Sequence, residues 1–595
     1  MRMLLGKSGA LEVLVMAIIA ATALHAAGKS DDAPIHGTVR SSEGEPLAGI
    51  PVHARLAGRH VVNVVYTNKD GHYSFQGLDS GTQTVSINLA GFQPVEKSAV
   101  IGKKSADVDF TLQSIPIPLT SFTDSEILAA LPGAPEKKQW LYRNVEGCNG
   151  CHFLDRVVLR KGLDKAGWLG IIEQMERVTE PGGTPPTKEA LQLRANRNRL
   201  LGSPDPEQLA EYMASVLGPN SGKLSPQQAA RPTEDVSTRL TAVEYETPRG
   251  VIPGTPGFST VDIDSTYFRW TEKNAASLTE KGAAANRGDH AYTWLHDVIV
   301  EPQSGYAYYS DQYADILGQV NPKTGEVKEF SVPPIRTGKL PGTQQISVDK
   351  MGNVWLGVNN QGAIARFSPK LQRITGEWAI GDAGLSCGFT TMESTGNPWC
   401  STGGGRNTIS KLDLSTGKFT SYTMPKEQNE LAGFYGVAID SHDRIYSMEF
   451  SGGNISRFDP QTGKFTEFIP PTPHSGARRG SVDSHDRLWF GEFFAGNLGM
   501  FDPKTEKIRE WKIPDPYAAP YIAAVDDKNN KVWVSDFDSD FIYLFDIATE
   551  KFTTYLLPEK DVRIRFMFVD GSANPSTLWI PNFTPPGQVI KLQVR

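Results

Sequence analysis

Seven aromatic residues recur at almost constant spacing along the C-terminal part of the chain. Tyr308, Trp355, Trp399, Tyr446, Trp489, Trp533 and Trp579 stand 47, 44, 47, 43, 44 and 46 residues apart. A sustained period of this length means that one supersecondary unit is repeated, because a single unit cannot bury its apolar face alone. Several units continue from the aromatic into a turn and a further strand. Phe458-Asp459-Pro460-Gln461-Thr462-Gly463-Lys464-Phe465 and Phe501-Asp502-Pro503-Lys504-Thr505-Glu506-Lys507-Ile508 show the pattern. Four strands per unit and seven units predict a seven-bladed β-propeller over 237–595. The last repeat ends early at Arg595, and Leu240-Thr241-Ala242-Val243-Glu244-Tyr245 has the character of the outer strand that completes the ring.

Upstream the texture changes twice, so a multidomain, mainly β chain is expected. The 57 glycines and 40 prolines also favour many short strands. Residues 34–113 read as a small β-sandwich. Ile35-His36-Gly37-Thr38-Val39 and the alternating Val52-His53-Ala54-Arg55-Leu56 are strands, and Asp70-Gly71 is a hairpin signal. Residues 120–218 become helical, with apolar residues at helical spacing in 136–145, 167–178 and 207–217. Residues 219–236, with Pro219, Pro226 and Pro232, read as a linker. At the start, Arg2 and Lys7 precede an apolar run from Leu11 to Leu24, and Ala26-Ala27 offer a cleavage point. This predicts a signal peptide over 1–27 and a periplasmic or secreted protein with no membrane span after cleavage. A formal charge of −7 gives no basic footprint, which argues against a nucleic-acid partner.

Within the helical stretch stands Cys148-Asn149-Gly150-Cys151-His152. Cys-x-x-Cys-His is a signature of c-type haem attachment: two thioethers fix the porphyrin's vinyl edges, and the next imidazole reaches the iron. A thioredoxin-like redox pair would need a βαβ context, which this stretch lacks. A structural zinc half-site would need a second ligand pair, but Cys387 and Cys400 lie far away in a propeller blade. One covalent haem c on Cys148 and Cys151, with His152 as proximal ligand, is therefore expected. Methionine is the usual second axial ligand where haem carries electrons. Met175 is the first choice, Met213 in the closing helix is the alternative, and an open sixth position is the third. Cys387 and Cys400 flank a predicted hairpin, where a disulfide and two buried thiols are the two readings.

Three resemblances follow from these residues. The run "G-T-V", "T-N-K-D-G-x-Y-S-F" and "A-G-F" resembles the carboxypeptidase regulatory-like domain, usually a non-catalytic appendage. The helices around Cys148–His152 resemble a class I cytochrome c domain. The Trp168 to Met175 helix looks like the one in cytochrome domains of quinohaemoprotein-type dehydrogenases. The repeats, best seen in Tyr435-Gly436-Val437-Ala438-Ile439-Asp440 with Ile445-Tyr446-Ser447-Met448-Glu449, resemble the streptogramin B lyase (virginiamycin B lyase) family. That resemblance implies a base beside an ester and a divalent metal held by glutamates. It also implies late-blade histidines, where this chain has Tyr435, Arg478, Tyr521 and Arg565, and there is no Glu-Pro-His. The residues that would move the proton in that reaction are thus replaced.

Stacking the repeats gives two rings of residues expected to face the central channel. His296, Gln344, Gly388, Tyr435, Arg478, Tyr521 and Arg565 form the inner one. Asp311, Val358, Thr402, Glu449, Glu492, Asp536 and Asn582 stand three positions after each marker aromatic. Converging polar groups would suit a small-molecule site, and a divalent metal on its carboxylates is a second candidate cofactor. The alternative is a solvated pore whose charges pair among themselves. Three functions follow. The first is a periplasmic haem oxidoreductase whose propeller binds a substrate or redox partner. The second is a lyase-like enzyme acting on a cyclic ester or carbohydrate-like compound, with an accessory haem. The third is a non-enzymatic binding protein.

Overall fold

The computed structural model describes residues 35–101, 105–143, 154–159, 161–176, 204–248, 294–312, 314–336, 341–382, 384–402, 407–425, 433–584 and 587–595. The predicted signal peptide and the Cys148–His152 motif lie outside these residues.

Seven four-stranded antiparallel sheets follow one another among the described residues. The first six run in chain order, from Leu295–Val300 at the inner edge of the first to Lys551–Leu556 at the outer edge of the sixth. The seventh takes Phe568–Asp570, Thr577–Pro581 and Gln588–Val594 from the C-terminal end and Leu240–Glu246 from upstream of the ring. Joining the two ends of the ring through one blade closes it by backbone hydrogen bonds.

The marker aromatics recur for a physical reason. Each is buried in a blade, and its polar handle needs a partner there. In four of the seven repeats an acid six residues earlier supplies it, whereas Trp579 Nε1 donates to Thr577 and Tyr308 Oη accepts from Gln319. Trp355 Nε1 donates to Asp349 at 2.8 Å, Trp399 Nε1 to Glu393 at 2.8 Å, Trp489 Nε1 to Asp483 at 2.8 Å, and Tyr446 Oη to Asp440 at 3.1 Å. Asp349, Asp440 and Asp483 also accept backbone N–H groups of their own turns, as Asp483 does from His485 and Arg487, while Glu393 takes the Thr395 and Asn397 side chains. Turn and core are thereby locked together in these repeats. Cys387 and Cys400 are joined as a disulfide within the third blade.

The sandwich is not a separate bead. Its strand Val61–Tyr66 pairs with Leu240–Glu246, Val61 opposite Tyr245 and Val65 opposite Thr241. One eight-stranded sheet therefore runs from the seventh blade into the sandwich strands Pro51–Leu56, Gly81–Ile87 and Val95–Ile101. This covers what would otherwise be an exposed blade edge. The second sheet is built on Ile35–Ser41, and Asp70-Gly71, with Gly71 at a φ of 76°, turns the chain as expected but closes no hairpin: Val61–Tyr66 before it and His72–Phe75 after it pair in different sheets, the latter with Ile35–Ser41.

Five α-helices are described between sandwich and propeller: Asp124–Ala130, Pro135–Arg143, Leu154–Leu159, Lys165–Glu176 and Pro206–Leu217. Capping boxes start two of them, Thr123 with Glu126 and Asp205 with Gln208. Met213 is buried in the last helix beside Leu209 and Leu217, and Met175 lies in the helix Lys165–Glu176. No described helix is long and apolar enough to cross a membrane.

Candidate functional site

The inner strands are irregular where they reach the channel. In the second, fourth, fifth and sixth blades the register slips so that two residues oppose one: Gln344-Gln345, Tyr435-Gly436, Arg478-Arg479 and Tyr521-Ile522. The first blade slips at His296. A bulge leaves residues unpaired and redirects their side chains. Five inner-ring residues expected from the repeats thus sit at bulges.

Two clusters result. In one, Arg479 donates to both carboxylate oxygens of Asp297, at 2.9 and 2.8 Å, joining the fifth blade to the first. Asp297 Oδ1 also lies 2.6 Å from His296 Nδ1. All three side chains are buried. Burial holds His296 down to about 4 against the pull of Asp297, so its imidazole is neutral. With Nδ1 donating to Asp297, Nε2 is an acceptor, and it has no hydrogen-bond partner among the described residues. Phe389 and Phe583 flank the ring.

In the other cluster, the Arg478 guanidinium sits among five rings. Its Cζ lies 3.8 Å from the Tyr521 centroid, 4.3 Å from Phe450, 4.4 Å from Phe493, 5.1 Å from Tyr435 and 5.8 Å from Phe537. Arg565 stacks at 3.5 Å on Phe583. The Tyr435 and Tyr521 hydroxyls are 2.5 Å apart. Burial raises both phenols, and Tyr521 is pushed up to about 12. At Tyr435 the Arg478 and Arg565 charges and the bond to Tyr521 outweigh burial, so that phenol lies below its ordinary value. The two phenols are thus pushed in opposite directions beside a fixed cation.

The acids of the second ring turn into their own blades. Asp536 accepts from the Ala519 and Asp538 backbone and from Ser539 and Tyr543. Asp311 accepts the Trp294 and Ala314 N–H groups, Glu449 bonds Ser456, and Glu492 bonds Asn497. Side chains alternate along a strand, so the next residue faces the opposite way. Phe450, Phe493 and Phe537 therefore line the Arg478 cage, and Phe583 meets Arg565. Asp297 and Arg479 were also beyond the repeat pattern. The available signal was a second polar residue directly following His296 and Arg478.

Glu492 is buried, and burial with the nearby Glu510 pushes its carboxyl up to about 8. The folded chain then holds a proton that the unfolded chain, near 4.5, releases. Stability should fall as pH rises between those values and level off above them. Glu492→Gln is expected to remove that slope, gaining on the order of a few kcal/mol at alkaline pH. Denaturation midpoints against pH, variant against parent, measure this.

The helical unit closes over the second cluster. Ser125 N–H donates to the Asp538 carbonyl at 2.8 Å, and Ser125 Oγ donates to Asp515. Arg563 Nη2 donates at 2.7 Å to Asp124 Oδ2, while Asp124 Oδ1 accepts the Leu154 N–H at 2.7 Å. Arg563 also stacks 4.8 Å from Phe537, a wall of the Arg478 cage. Leu128, Leu154 and Trp168 share one apolar core with Phe450, Phe493, Tyr521 and Phe537.

Fold and site define a β-propeller protein carrying an N-terminal β-sandwich and a polar, aromatic-walled channel cluster. Residues 269–561 match the Virginiamycin B lyase family, and residues 34–113 match the Carboxypeptidase regulatory-like domain. Among solved structures, the chain is similar to virginiamycin B lyase from Staphylococcus aureus at 21% identity and a TM-score of 0.45, covering 51% of this chain and 96% of that one. It is similar to a streptogramin B lyase at 20% and 0.45, covering 51% and 94%. Kuenenia stuttgartiensis hydrazine synthase follows at 10% and 0.42, covering 51% and 97%. No curated protein matches the chain.

Proposed function

We propose that this chain is an exported c-type haem protein whose propeller channel binds a substrate or redox partner that exchanges electrons with the haem. Cys148 and Cys151 would hold the porphyrin, His152 would be its proximal ligand and Met175 its distal one, with Met213 the alternative. Such a group supplies one-electron chemistry when bound. The residues around the motif suit it. Trp168 Nε1 is buried in the apolar core of the helical unit with no hydrogen-bond partner among the described residues, a donor suited to a porphyrin carboxylate.

One observation carries the coupling between haem and channel. The peptide N–H of Leu154, two residues after His152, is held by Asp124, which pairs with Arg563 against Phe537. The motif's flank and the channel cage are thus tied by a short buried chain of contacts. On this reading His296 and Tyr435 take up or release the protons that accompany electron transfer, and Arg478 offers a cation for an anionic or π-rich ligand.

The Tyr435–Tyr521 pair favours a second reading, a lyase on a cyclic ester or carbohydrate-like compound. Tyr435, its hydroxyl in turn hydrogen-bonded to Tyr521, would act as the base that takes the proton beside the carbonyl as the carbon–oxygen bond breaks. Protein secreted from a host with haem-maturation machinery tests both. A Soret band and a mass gain of one porphyrin are expected, with haem reduction by compounds that bind the channel. Absence of both signals overturns the haem reading. Turnover lost in Tyr435→Phe, with an unchanged haem spectrum and no haem reduction, would favour the lyase.

A further inference from the structure

Where the sandwich joins the propeller, three potential ligands from three parts of the chain meet. His53 comes from the sandwich strand Pro51–Leu56 and Glu244 from the seventh blade's outer strand Leu240–Glu246. Glu559 follows the sixth blade's outer strand Lys551–Leu556. One ligand atom from each lies within 4.8 Å of the others, and His53 Nε2 is 3.7 Å from Glu559 Oε1. We propose that His53, Glu244 and Glu559 bind a divalent transition cation of the Zn²⁺ type, which clasps the sandwich onto the propeller.

The argument rests on Glu244. It is fully buried at 0% exposure, and neither carboxylate oxygen has a hydrogen-bond partner among the described residues. Leaving a buried carboxylate without a partner is costly, so such groups are normally paired or bound to metal. The local cation does not serve it: Arg55 bonds Glu246, which also takes His60 at 3.1 Å. His53 is 8% exposed and its Nε2 likewise makes no hydrogen bond among the described residues, so this ring nitrogen is available to a metal ion beside the two carboxylates. Two carboxylates and a neutral imidazole around a dication sum to zero charge, which suits a buried position. Imidazole with carboxylate oxygens is a donor set that Zn²⁺ accepts at about 2.0–2.2 Å, with water free to take a fourth place on the exposed Glu559 side. Small side-chain shifts close the present spacing to that of a bound ion.

The site is independent of the channel and of the haem, so its test reads zinc rather than iron. Full-length secreted protein is stripped with chelator, titrated with Zn²⁺ or Mg²⁺, and followed by metal analysis and thermal unfolding. A single Zn²⁺ per chain and a raised unfolding temperature with Zn²⁺ but not Mg²⁺ are expected. Glu244→Gln and Glu559→Gln should each weaken binding by about a hundredfold or more, at or above the upper end of what losing even an outer-shell partner costs. Glu559 is partly exposed, so its variant keeps the fold even if the Glu244 variant does not. His442→Ala, a surface imidazole paired with Asp486, should change nothing. Failure of the stripped parent to take up Zn²⁺, or unchanged Zn²⁺ affinity in Glu559→Gln, overturns the proposal.

Discussion

Replacing Arg479 by methionine is expected to destabilise the protein by about 3–5 kcal/mol, the usual cost of leaving one partner of a buried ion pair behind. Arg479 and Asp297 are 2% and 0% exposed, and the pair is bidentate. Arg479 also donates to the Arg565 carbonyl at 2.7 Å and stacks on Phe389 and Phe566. Methionine keeps part of the apolar bulk, so the loss reports mainly the stranded Asp297 charge. A double variant, Asp297→Leu with Arg479→Met, should recover most of it, since an apolar replacement removes the charge that needed compensation. Urea denaturation of the secreted chain measures both. A single-variant cost below about 1 kcal/mol would mean that the pair behaves like an exposed one. The same variant should raise the His296 pKa, because Arg479 is one of the cations that repels its proton. An NMR titration of that imidazole reads the direction.

Much of this architecture is legible in the chain because the blade repeat is enforced residue by residue. A buried aromatic core position recurs in every blade, and in four of them its polar handle is met by an acid six positions back, as Trp355 by Asp349 and Trp489 by Asp483. The inner-ring residues could be found the same way, by their fixed offset within the repeat. What alignment of repeats cannot give is the parity of side chains around a bulge. The extra residue at Tyr435-Gly436 or Arg478-Arg479 shifts which neighbour faces the channel. Acids at fixed offset look like a convergent ring, yet Glu449 and Asp536 bond within their own blades while Phe450 and Phe537 line the cage. The pairing of Val61–Tyr66 with Leu240–Glu246 is equally hidden. It joins strands that are distant in sequence, and no local pattern records that register. The His53, Glu244 and Glu559 cluster exists only because of it.

The second large effect is expected at Asp124, where the helical unit meets the propeller. Its carboxylate holds two unlike partners, the Arg563 guanidinium and the Leu154 N–H, both at 2.7 Å. Arg563 is 5% exposed and Asp124 2%, so Asp124→Ala removes a buried ion pair and orphans a backbone donor together. The ion pair alone implies about 3–5 kcal/mol, and the lost N–H acceptor adds about 1–3 kcal/mol. Because the contacts cross an interface, the loss should fall first on the docking of the helices, visible as faster amide exchange in 124–130 and 154–159 than in the blades. Arg563→Met should disturb docking less, since Asp124 keeps the Leu154 N–H and the aromatic wall stays filled. If channel and haem are coupled as proposed, Asp124→Ala should also slow haem reduction by a channel ligand while leaving porphyrin content unchanged. Equal exchange rates in parent and variant would show that the helices are held by their apolar core, with the Asp124–Arg563 pair contributing little.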